Sequence, residues 1–185
     1  MRKLSILFVI LLLAITTAGL VGCGGNTSQA KTDMQAADAA YNKVKTELDD
    51  LQGTLTGVLG GAVTGNYAAL TTQTLNAATA AIDKVLAALP AVKADYQKVA
   101  ALTGVPDYTA YANAMIKAID ANTTALTEGK KAIEQLKPLV ASGNTAAIAG
   151  VLNQQEVAKL QSLGEVASKA YDDAQAIKTE KNLGK

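Results

Sequence analysis

From Met34 onward the chain sets an apolar or small side chain at every third or fourth position: Met34, Ala37, Tyr41, Val44, Leu48, Leu51, Leu55 and Val58. Alternating steps of three and four trace one face of an α-helix, so this stretch predicts a long first helix. The pattern returns at Leu75, Ala78, Ile82, Val85, Leu89, Val92, Tyr96, Val99 and Leu102, which predicts a second helix with Asn66 as its N-cap. Pro90 lies inside that stripe without shifting its phase, and predicts a kink, or a break into two helices. Gly104-Val105-Pro106-Asp107 ends the second helix and starts a third, whose stripe holds Tyr108, Ala112, Met115, Ile119, Asn122, Leu126, Gly129, Ile133, Leu136 and Val140. Pro138 is expected to kink or end it, and Ser142-Gly143-Asn144-Thr145 to form the next turn. A last helix then carries Ile148, Leu152, Leu160, Leu163, Ala167, Ala170, Ala174 and Ile177, with Asn153-Gln154-Gln155-Glu156 as a capping signal that would split off a short helix before it. Lys178 and Lys181 suit its C-terminus.

Four long amphipathic stripes with short connections predict an all-α fold, an antiparallel up-down-up-down four-helix bundle over residues 30–181, with 182–185 as a frayed tail. At 1.5 Å per residue, helices of about 30 residues give a rod ~45 Å long.

The chain begins differently. Arg2 and Lys3 precede an apolar run from Leu4 to Ile15, then small residues, which is the layout of an export signal. The run ends in Leu20-Val21-Gly22-Cys23 around the one cysteine of the chain, and this resembles the lipobox of bacterial lipoproteins. The resemblance covers the first 23 residues and implies cleavage of 1–22, acylation of Cys23 and attachment to the bilayer. Two or more acyl chains hold a protein stably where one is marginal, so the mature chain is expected to be anchored on the extracytoplasmic face of the cell membrane or the outer membrane, not to span it. Residues 23–29 would be the lipidated, flexible tether. On this geometry the connections after the first and third helices lie far from the membrane, and the Gly104 turn lies near it.

Composition removes several function classes. Cleavage takes Arg2 and Lys3 from the 17 basic side chains and none of the 16 acidic ones, leaving a formal charge of −1 with lysines scattered among acids, which argues against nucleic acid as a partner. There is no histidine, so the commonest general base, haem ligand and metal ligand are missing, and no cofactor or metal site is expected. Asp49-Asp50 and Asp172-Asp173 splay around their helices instead of converging. No phosphate-cradling loop or nucleophile elbow occurs. The expectation is a non-enzymatic protein.

Two features remain as candidate sites. Between Asp50 and Asp83 there is no charge at all, and this stretch, 51–82, includes GTLTGVLGGAVTG at 53–65. An ordinary exposed surface carries charges of both signs, so this one predicts a contact surface for an envelope protein or polymer, with Gly57, Leu59, Gly60, Gly61 and Gly65 as candidate contacts. Five glycines on one helix face would cost ~5 kcal/mol relative to alanine. The segment is therefore expected either to leave helix near Gly57 to Gly61 as a mobile tip, the favoured reading, or to be a docking face for another chain. The alternative function is a small-molecule site between helices, with Tyr108, Tyr111 and Asn122 as lining.

Overall fold

The computed structural model describes residues 25–63 and 67–184, with side-chain surroundings for 26–55 and 67–184. Among these residues the protein is all-helical: α1 Gly25–Val63, α2 Thr72–Ala100, α3 Pro106–Ala141, α4 Thr145–Val151 and α5 Gln154–Glu180. The signal segment, Cys23 and Gly65 lie outside the described residues.

The stripes become the core. Met34, Ala37, Tyr41, Val44 and Leu51 of α1 pack with Leu75, Ile82, Val85, Leu89, Tyr96 and Val99 of α2 and with Met115, Ile119, Ile133 and Leu136 of α3 in one hydrophobic cluster. α5 contributes Ala167 and Ala174 as its buried positions, so small side chains let it sit close to its neighbours. The helix α2 is long and apolar enough to cross a membrane by composition, with a mean hydropathy of 1.3 over its best window. Its apolar stripe, however, is buried in the core cluster, and Lys84 and Lys93 on its other side pair with Glu47 and Asp120.

Cross-helix partners run in inverse order along neighbouring elements. On α1 and α2, Asn26 meets Thr103 just beyond the helix end, Asp38 meets Tyr96, and Glu47 meets Lys84. On α2 and α3, Asp83 meets Lys130 and Lys93 meets Asp120. On α3 and α5, Glu128 meets Lys159 and Met115 meets Gln175. The Lys131 and Lys159 ammoniums beside Glu128 hold its carboxyl down at about 2.

Several expectations are corrected. α2 begins at Thr72, not after Asn66: Thr71 accepts from the Thr74 backbone N–H while the Thr74 side chain accepts from the Thr71 N–H, a closed capping box. The helix does not break at Pro90, and α3 does not end at Pro138 but runs to Ala141. Both prolines are exposed, so each missing backbone hydrogen bond faces the solvent side, where water can satisfy the freed carbonyl. α1 begins at Gly25, inside the stretch expected to be a tether, and the Asn26 side chain donates to the Thr103 carbonyl at 2.7 Å. Of the expected tail, residues 182–184 fold back on the end of α5. The Leu183 N–H donates to Lys178 O and the Asn182 N–H to Thr179 O, with Asn182 at φ 51°, which is the Schellman pattern that satisfies last-turn carbonyls. Leu183 is then buried, and Gly184 lies against Met34.

The favoured mobile tip is also overturned at the level of the backbone, because α1 stays helical through Gly57, Gly60 and Gly61 to Val63. The reason lies on the opposite face, where Leu51 is buried and Leu55 packs on the core, so the stripe holds the segment in helix despite its glycines. Gly53 has nothing within 4 Å of where a Cβ would stand, so it faces open space. As expected, Asn153 caps α5 by accepting from the Glu156 N–H and sets off the short α4 before it.

Candidate functional site

The chemistry gathers around one carboxylate that the apolar pattern left unmarked. Asp38 lies four residues after Met34 and three before Tyr41, so its helix turns it to the edge of the buried face. Its Oδ1 accepts from the Tyr96 hydroxyl at 2.6 Å and from the Tyr111 hydroxyl at 2.7 Å. Its Oδ2 accepts from the Lys178 ammonium at 2.5 Å. These donors sit on α2, α3 and α5, so all four long helices meet at this carboxylate. The Asp38 side chain is 12% exposed, where an unpaired charge would cost several kcal/mol.

Aromatic rings frame the node. The rings of Tyr96 and Tyr111 meet edge to face at 6.0 Å, and those of Tyr41 and Tyr171 stack at 5.5 Å with 19° between their planes. The Lys178 ammonium lies 5.7 Å from the centre of the Tyr111 ring, within the range of a cation–π attraction. Burial, then the nearby Tyr111 and the bond to Asp38, drives the Tyr96 phenol far above its ordinary range. Burial and the bond to Asp38 do the same to Tyr111. Tyr41 is pushed up to about 12, by burial first and by the neighbouring Tyr171 second.

A cavity of about 130 Å³ opens beside these groups, lined by Asp38, Tyr41, Asn42, Tyr96, Tyr111, Met115, Tyr171, Gln175 and Lys178. Of the three residues expected to line a pocket, Tyr111 alone does so. Tyr108 is half-buried against the core. Asn122 bonds the Ala118 carbonyl at 3.0 Å and reaches the Tyr41 hydroxyl at 3.5 Å, one step outside the cavity. Among the described residues no three His, Cys, Asp or Glu side chains come together as metal ligands.

The other candidate surface is split between described and undescribed residues. The backbone of Gly57, Leu59, Gly60 and Gly61 is helical, and their surroundings lie outside the description. Around them Gln52, Gly53, Thr54, Thr72, Gln73, Asn76, Ala77 and Ala80 are exposed and uncharged. The first ion-paired carboxylates on the way down from this end are Asp49 on α1, with Lys45, and Asp83 on α2, with Lys130.

Asp38, Lys178 and Gln175 were missed because a single polar residue beside a stripe looks like a solvated edge. The available signal was a carboxylate at i+4 from Met34 and i−3 from Tyr41, on a face otherwise apolar. No protein-family model matches the chain, and no curated protein or solved structure shows significant similarity to it.

Proposed function

We infer that the chain is a lipid-anchored, extracytoplasmic lipoprotein that acts without catalysis, as a spacer and interaction module in the cell envelope. On this reading Cys23 carries the acyl chains, the four long helices form an up-down-up-down rod bent at Pro90, and the uncharged end, residues 51–82, meets an envelope protein or polymer. The supporting observation is the exposed, charge-free surface of Gln52, Gly53, Thr54, Gln73, Asn76, Ala77 and Ala80, bounded along the two helices by exposed Asp50 and Asp83. The helical Gly53–Gly61 segment favours the docking-face reading of the glycines, because a helix that presents bare backbone lets a partner approach closely.

The test places a photo-crosslinking residue at Gln73 or Ala77 in intact cells. Capture of one envelope component, lost when the crosslinker moves to exposed Asp173, supports the reading. A free monomer at both upper positions sinks it. Cys23→Ser tests the anchor separately and is expected to release the protein from the membrane fraction or block its maturation; unchanged fractionation overturns the lipid attachment.

A further inference from the structure

We propose that Asp38 is an amine-binding site held shut by Lys178, and that it takes the ammonium end of a small organic amine. The inference is independent of the spacer reading. The two oxygens of Asp38 are served unequally. Oδ1 is held by Tyr96 and Tyr111, whose side chains are 0% and 1% exposed and cannot swing away without opening the core. Oδ2 has Lys178, which reaches it on a four-methylene stem from the last turn of α5 and is 31% exposed. The cation is therefore the mobile partner. When it swings into solvent, Oδ2 loses its donor on a residue that lines the cavity.

The occupant must then satisfy what Lys178 satisfies. It must carry positive charge against the carboxylate, donate a hydrogen bond to Oδ2, and lie near the Tyr111 ring. A primary ammonium does all three, while a neutral alcohol lacks the charge. A phospholipid headgroup would bring its phosphate against Asp38. The tail would lie along Tyr41, Tyr171 and Met115. A cavity of ~150 Å³ in another protein holds benzene, so about 130 Å³ suits an amine of about six heavy atoms. Lys178 acts as an internal competitor: ligand affinity is reduced by the fraction of time the lysine stays on Asp38.

The experiment titrates n-butylammonium, with n-butanol as the neutral control, into the full chain in non-ionic detergent, following the thermal midpoint and the tyrosine ring resonances. The wild type is expected to show a saturable response to the amine and none to the alcohol. Lys178→Met, which removes the competitor, is expected to half-saturate at an amine concentration at least ~10-fold lower. Asp38→Asn is expected not to respond. Should Asp38→Asn fail to fold, Gln175→Trp, which fills the cavity and leaves Asp38 paired, takes its place and is also expected to be silent. A response in Lys178→Met without one in the wild type would make Lys178 a permanent structural partner and overturn the proposal. So would an undiminished response in Asp38→Asn or Gln175→Trp.

Discussion

At Asp38 two phenols share one carboxylate oxygen, and removing either leaves the charge with one donor fewer in a place water barely reaches. A hydrogen bond to a charged group is worth ~1.5–3 kcal/mol, so Tyr96→Phe and Tyr111→Phe should each lower stability by about 2 kcal/mol in urea unfolding. Because they bond the same atom, the double variant should depart from the sum by at least ~0.5 kcal/mol. Simple additivity would mean that the two hydroxyls act separately. This node was the least legible part of the chain. The stripes placed Tyr96 on a buried face, yet no spacing rule states which residue of another helix a hydroxyl will meet. The pairing of 38 with 96, 111 and 178 exists only after the helices pack.

At the scale of single elements, helix ends and glycines make opposite predictions that depend on backbone conformation. Thr71 closes a capping box at the start of α2, so Thr71→Ala should cost ~1 kcal/mol by thermal or urea unfolding. Gly143 sits at φ +66°, a conformation that penalises any Cβ, and Gly143→Ala should cost about 1 kcal/mol or more even though the space around it is open. Gly53 is helical with open space around it, so Gly53→Ala should instead stabilise by ~0.5–1 kcal/mol. If this face docks a partner, the same substitution should weaken crosslinking while it raises the melting temperature, a split that a purely structural glycine would not give. Element existence and core faces were legible here because periodicity survives local exceptions. Boundaries were less so: Asn66 was expected as the N-cap, and the structure gives that place to Thr71, where the Thr74 hydroxyl completes the box. The glycine penalty was sound as arithmetic but was weighed without the burial of Leu51 and Leu55 on the other side of the same turns.

Across the whole molecule, the chain has six tyrosines, no tryptophan and one phenylalanine, so phenols supply nearly all of its aromatic packing. This choice makes the fold sensitive to alkali. Tyr41, Tyr96 and Tyr111 all have their phenol pKa raised by burial above the ordinary value of ~10. The folded state therefore keeps protons that the unfolded chain releases, and this contribution is fully present below pH ~10 and lost as the pH rises towards 12 and beyond. Each such tyrosine removes ~1.4 kcal/mol per pH unit in that window, so the three together remove up to ~4 kcal/mol per unit, enough to exhaust a typical stability of 5–15 kcal/mol within a few pH units. The three buried phenols should ionise only together with the loss of helical circular dichroism, read as tyrosinate absorbance against the helical signal. Full tyrosine ionisation with the helical signal intact would show that the phenols are not held by the packing described.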